Sequence, residues 1–180
     1  HRHKDVLTHT LAVVAKTRPS LIVRMAALLH DVGKPRTRAI GPRGVSFHHH
    51  EVVGARMARE RLKALRFSNE QTDAITQLVY LHLRFHGYGD DVWTDAAVRR
   101  YVRDAGPLLD ELNELTRCDC TTRNARKAKV LADRMDALEQ RIAELQAREE
   151  LEAIRPDIDG QAVMHHLGVG PGREIGEALQ

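Results

Sequence analysis

A chain of 180 residues, 42% of them hydrophobic, is long enough for one buried core and too apolar to be disordered throughout. Aromatic residues make up only 4%, which disfavours a β-sandwich and favours helices packed through aliphatic side chains. The net charge of +3 and pI near 9.1 permit contact with RNA phosphates without requiring it.

Helical spacing dominates from the start. Val6, Leu7, Thr10, Leu11 and Val14 form one apolar face, ending before Arg18-Pro19. Leu21 to Val32 reads as a second, more apolar helix, closed by Gly33 with Pro35 beyond it. Arg36 to Phe47, with Gly41-Pro42-Arg43-Gly44 at its centre, is expected to be a loop. A third helix is predicted from about His50 to Leu65. Ser68 and Gln71 form a capping box that starts a fourth, running to about Phe85. Helices over Asp95–Asp104 and Pro107–Thr121 follow. Beyond Arg123 the residues Leu131, Met135, Leu138, Ile142 and Leu145 recur at spacings of four and three on a charged background. This pattern predicts a long amphipathic helix that packs on the domain or extends from it as an arm. Arg155-Pro156-Asp157 breaks that helix. A short helix to Leu167, a Gly-rich turn over 168–172 and a final helix to Gln180 are expected after it. No internal repeat and no clear strand is found, so the fold class is all-α, divided into a compact domain over 1–122 and a helical arm and tail over 123–180.

No run approaches the ~18 apolar residues of a membrane span, and no signal-peptide pattern opens the chain. The two cysteines, Cys118 and Cys120, are too close to bridge readily and lack the spacing of zinc ribbons or redox motifs. A reducing cytoplasm is the simplest location. The absence of an initiator Met leads to the expectation that the chain is a piece of something longer.

Chemistry concentrates where His30 and Asp31 close the apolar second helix. Burying an ionisable pair there is costly unless it is compensated. One compensation is a plain structural His–Asp hydrogen bond; the other is a divalent cation taking imidazole nitrogen and carboxylate oxygen. His9 on the first helix and Asp119 near the end of a later one complete a set of two histidines and two carboxylates. That set suits Mg, Mn, Fe, Ni or Co and suits structural zinc poorly. The eleven histidines are clustered. In the run His48-His49-His50, the last opens a helix and is the preferred ligand. His82 and His86, at i and i+4, are expected on one face of the fourth helix. His50 and His82 are candidates for a second metal or for substrate phosphate, while His82 and His86 could equally be surface residues. His165 and His166 read as surface.

The order of Thr-His9-Thr-Leu, His30-Asp31-Val-Gly-Lys34-Pro, His50-Glu-x-x-Gly54, His82 and Asp119 resembles the HD superfamily of metal-dependent phosphohydrolases. More narrowly, Gly33-Lys34-Pro35-Arg36-Thr37, the His-rich loop and the tail after Arg155 resemble the HD-containing part of bacterial CCA-adding tRNA nucleotidyltransferases, also called poly(A) polymerases. The nucleotide-adding head of that family, with its paired carboxylates after a Gly-Ser turn, has no counterpart here. The resemblance therefore implies a helical HD bundle with phosphohydrolase chemistry on nucleotides or RNA ends, including 2′,3′-cyclic phosphodiesterase and 2′-nucleotidase or phosphatase activity. It also implies a helical surface near tRNA.

On this reading the cation lowers the pKa of the water it binds from ~15.7 toward neutrality. Asp31 ligates through one oxygen and orients the attacking water with the other. Lys34 meets a phosphate oxygen or, alternatively, satisfies carbonyls at the helix end. Arg36 and Arg38 are candidate phosphate clamps. Two rivals stand beside it: a stand-alone HD nucleotidase, and a vestigial site on a module that only binds RNA. The long helix could also serve a homodimer.

Overall fold

The computed structural model describes residues 5–42, 44–88, 93–122, 124–153, 164–166, 168, 170 and 172. The Asp5 carboxylate accepts from the amide of Thr8 and caps helix α1, Val6–Lys16. Its buried residues are Thr10 and Val13, whereas Leu7 and Leu11 are 62% and 55% exposed. The inward face is therefore rotated from the one the leucines predict, and it turns His9 toward the interior. Helix α2, Leu21–Leu29, buries Val23, Ala26 and Ala27, and these small side chains let α1, α5 and α7 all approach it.

Helix α2 stops at Leu29, three residues earlier than its apolar run suggests. His30 is the C-cap, and the amides of Val32 and Lys34 reach back only three residues, to the carbonyls of Leu29 and Asp31. The tighter turn makes room for a short helix, α3 (Lys34–Thr37), in which Pro35 sits in the first turn instead of acting as a stop. The expected loop contains a hairpin, β1 (Ala39–Gly41) and β2 (Gly44–Ser46), paired antiparallel with Ile40 opposite Val45. Gly44 adopts φ +107°, which L side chains rarely reach, where the second strand of the hairpin begins.

Helix α4 spans His50–Ala64 and α5 spans Asn69–Leu81, the latter with both hydrogen bonds of the Ser68/Gln71 capping box. These two helices pack together and enclose Leu62, Ile75, Leu78 and Val79. α5 ends at Leu81, so His82 is its C-cap and His86 lies in a separate 3₁₀ turn over Phe85–Tyr88; the two do not share a helix face. Helix α6, Asp95–Ala105, a 3₁₀ turn over Gly106–Leu108 and α7, Leu109–Asp119, follow. The buried hydroxyl of Tyr101 on α6 donates to Asn113 Oδ1 on α7 at 2.9 Å.

Helix α8 runs over Ala125–Ala153. Met135, Leu138 and Ile142 are buried, and Arg117 on α7 pairs with Asp136 and Glu139 at 2.7 and 2.6 Å. Arg141 pairs with Asp95. The chain divides into two units, His1–Ile142 and Ala143–Gln180, with the division inside α8, whereas the change in composition falls near residue 122. The described residues of the first unit are helical apart from the small hairpin and the connecting turns. Among the described residues no helix is long and apolar enough to cross a membrane. The break at Arg155-Pro156-Asp157 and the final helix expected to Gln180 lie outside the described residues. So do residues 159–163 and 167 of the expected short helix and residues 169 and 171 of the Gly-rich turn. His165 and His166 are described and exposed.

Candidate metal centre

Five helices meet at one point, four of them by their ends. His9 comes from the middle of α1, and His30 and Asp31 from the tight turn after α2. His50 opens α4, His82 caps α5, and Asp119 is the last residue of α7. Of the run 48–50, His48 and His49 are exposed, and a left-handed backbone at His49 (φ 59°) turns the next residue, His50, into the interior. Gly33 and Gly54 make this approach possible. A Cβ on Gly33 would lie 2.2 Å from the carbonyl oxygen of His50 and 2.7 Å from the amide nitrogen of Gly54.

The donors fall into two groups that could each hold an ion: His9, His30 and Asp119, and Asp31, His50 and His82. Asp31 joins them. Its Oδ2 lies 3.5 Å from His9 Nε2 and 3.3 Å from His30 Nε2, while its Oδ1 lies 3.3 Å from His50 Nε2 and 3.9 Å from His82 Nε2. The second oxygen, which the sequence reading assigns to orienting water, faces the second pair of histidines. Within the first group, His9 Nε2 is 2.8 Å from Asp119 Oδ1 and 3.2 Å from His30 Nε2, and His30 Nε2 is 3.6 Å from Asp119 Oδ1. Ligands 90–110° apart on an ion bound at about 2.1 Å stand about 3.0–3.4 Å from one another. The separations between donor atoms, 2.8 to 3.9 Å, bracket that range.

The histidine tautomers point the same way. Nδ1 donates to the carbonyl of Ala27 from His30 (2.7 Å), to that of Phe47 from His50 (2.8 Å), and to that of Val79 from His82 (2.6 Å). His9 Nδ1 lies 2.8 Å from the Thr121 hydroxyl. With Nδ1 occupied, the lone pairs of Nε2 are left to face inward. His50 and His82 thus aim two Nε2 atoms at each other across 3.3 Å, an arrangement that two neutral imidazoles cannot satisfy by themselves and a cation can. The donor set fits a divalent metal.

Electrostatics agree. Burial opposes a charge on His30, but hydrogen bonds to Asp119 and Asp31 outweigh it and raise its pKa to about 10. Burial likewise opposes ionisation of Asp31 and Asp119. The imidazoles of His30 and His50 beside Asp31, and of His30 and His9 beside Asp119, nevertheless hold both far below the usual carboxylate range. His82 is pushed by burial down to about 4, so it stays neutral and able to ligate. Two carboxylates here demand positive charge, and a proton on His30 supplies it where no metal ion does.

A cavity of about 390 Å³ opens over the first group, lined by His9, Asp31 and Asp119 together with Lys34, His86 and Lys127. That volume is in the range of small-molecule sites. Lys34 Nζ lies 2.6 Å from Asp31 Oδ2, with the Phe47 ring centroid 5.9 Å away. Arg36 lines a different cavity, with Leu29, Val32, Met57, Glu60 and Arg61, and Arg38 is the exposed C-cap of α3. Lys127 and Thr121 escaped sequence reading. Lys127 looks like one more charge on an amphipathic helix, and Thr121 had only its nearness to Asp119 to mark it.

A helical bundle that gathers histidines and aspartates from its helix ends around one bridging carboxylate has the fold and donor set of a metal-dependent phosphohydrolase-type domain. Residues 6–145 match the HD domain family, and the chain belongs to it. It is similar to the A-adding tRNA nucleotidyltransferase of Deinococcus radiodurans, 34% identical over 187 residues, covering 99% of this chain and 42% of the relative. It is also similar to the CC-adding tRNA nucleotidyltransferase of Thermus thermophilus, 32% identical over 189 residues, covering 99% of this chain and 40% of that relative. The chain thus spans about two fifths of the length of these curated relatives.

Proposed function

We propose that this chain hydrolyses phosphoesters of nucleotides or RNA 3′ ends with one or two divalent cations held by His9, His30, Asp31, Asp119, His50 and His82. The observation that carries the reading is Asp31, buried and placed with one oxygen toward each histidine pair. A divalent cation in these sets supplies Lewis acidity, making water acidic near neutral pH and offsetting charge on a phosphoryl group. The protein's own residues do the rest. The backbone carbonyls behind His30, His50 and His82 fix the rings so that little reorganisation is needed. Lys34 and Lys127 flank the cavity as point charges for nonbridging phosphate oxygens. Arg36 and Arg38 lie outside that cavity and would reach only a substrate extending beyond it, such as an RNA.

The similarity to two tRNA nucleotidyltransferases supports a tRNA-related substrate and a role as the HD part of a longer enzyme of that kind. The test is elemental analysis of the purified chain alongside turnover of a 2′,3′-cyclic nucleotide and of an RNA bearing a 3′ phosphate, with manganese and with chelator. Metal-dependent hydrolysis lost in H30A and D119A supports the reading. A protein that binds tRNA but neither holds metal nor hydrolyses either substrate rejects it in favour of a binding module.

A further inference from the structure

Backbone carbonyls hold three of the four clustered imidazoles from behind, whereas His9 is held by a side chain. A carbonyl only accepts, so Nδ1 of His30, His50 and His82 carries the hydrogen it donates to Ala27, Phe47 or Val79. His9 Nδ1 lies 2.8 Å from Thr121 Oγ1, and a hydroxyl both donates and accepts. The direction of that bond is therefore set at the other end of the ring. There Nε2 stands 2.8 Å from Asp119 Oδ1. An ionised carboxylate only accepts, so a neutral His9 in this pose keeps its proton on Nε2 and takes the Thr121 hydrogen at Nδ1. A ring ligating through Nε2 needs the opposite tautomer, with Nδ1–H donating to Thr121. One hydroxyl serves both.

The surroundings of Thr121 fix where that hydroxyl stands. Thr121 follows the ligand Asp119 by two residues, so the end of α7 and the chain just beyond it grip both nitrogens of one ring. The residue between them is tied to the same helix. Lys16 Nζ, about two turns along α1 from His9, donates to the Cys120 carbonyl at 3.0 Å. Helix α1 thus holds residues 119, 120 and 121 in succession. The Thr121 side chain is the one anchor of the four that a substitution can remove, since the other three are main chain. The geometry points to Thr121 as a positioning residue for His9, its hydroxyl reversing the hydrogen bond when Nε2 becomes a ligand and so holding the ring in both states. The inference rests on the metal-site reading above and adds to it a residue outside both donor sets.

Thr121→Val keeps the shape of the side chain and removes the hydroxyl, while Thr121→Ser keeps the hydroxyl. In manganese titrations read by electron paramagnetic resonance, T121V should weaken the ion held by His9, His30 and Asp119 about 10- to 100-fold, the usual effect of losing the partner behind a ligating histidine. A second ion beside His50 and His82 should bind as in wild type, and T121S should recover the wild-type titration. Nitrogen-15 spectra of the rings in alkaline buffer read the reversal itself. His9 should carry its proton on Nε2 in the metal-free chain and on Nδ1 in the chain loaded with zinc as a diamagnetic probe, with His50 and His82 protonated at Nδ1 in both. Wild-type affinity in T121V, loss of both ions together, no recovery in T121S, or one His9 tautomer in both states overturns the assignment. A wild-type chain that binds no manganese fails before any variant is compared; it defeats the metal-site reading and this inference with it.

Discussion

Gly33→Ala tests how the two halves of the site are held in register. Gly33 has an ordinary right-handed backbone (φ −76°), so alanine meets no conformational penalty there, only space. The added carbon would sit 2.2 Å from the His50 carbonyl oxygen and 2.7 Å from Gly54 N, roughly 1 Å inside any tolerable contact. Both neighbours are backbone, so the turn after α2 and the start of α4 must separate. Overpacking of this kind costs about 1–3 kcal/mol, or a fall in Tm of roughly 3–10 °C for a chain of this size. The same movement draws His50 Nε2 away from Asp31 Oδ1, now 3.3 Å apart, and a ligand displaced by about 1 Å leaves the coordination shell. G33A should therefore lose manganese from the His50/His82 side first, read by elemental analysis beside differential scanning calorimetry. Gly41→Ala, with nothing within 4 Å of its Cβ, is the control and should change neither. A G33A protein with wild-type Tm and full metal content would show that the Gly33–Gly54 approach does not hold the site together.

Asp31→Asn removes the shared carboxylate and should abolish metal at both positions, whereas His82→Ala should lower only the second; metal per chain by mass spectrometry separates them. Lys34→Ala should retain metal yet lose about 10- to 100-fold in kcat/KM on a phosphodiester, since one charge aimed at the phosphate is gone; unchanged kinetics would leave Lys34 as merely the ion-pair partner of Asp31. Chelation should lower Tm by roughly 5–10 °C from its value in manganese at about a hundredfold excess over Kd, because an ion that binds only the folded chain adds about 2.7 kcal/mol there. Scanning fluorimetry with and without chelator checks it.

Much of the architecture could be read from local chemistry. The helix order, the Ser68/Gln71 capping box and the donor types at His9, His30, Asp31 and Asp119 all stand out in the sequence. What escaped depends on distant neighbours. Thr10 of the predicted apolar face is buried, but beside Val13, while Leu7 and Leu11 of that face are exposed, because periodicity marks a face without saying what covers it. The three-residue strands at 39–41 and 44–46 are too short to show alternation, and Gly41-Pro42-Arg43-Gly44 reads equally well as a loop. The early end of α2 is invisible in an apolar run that continues to Val32. That Asp31 divides its oxygens between two histidine pairs follows only when α4 and α5 arrive beside α2. Lys127 reaches the cavity solely through the placement of α8.

If these histidines and aspartates share divalent cations, anomalous diffraction from a manganese-soaked crystal will locate the ions. A peak is expected about 2.0–2.3 Å from His9 Nε2, His30 Nε2 and a carboxylate oxygen of Asp119, with Asp31 adjacent and any second peak beside His50 and His82. A crystal at saturating manganese with no peak among these side chains would contradict it.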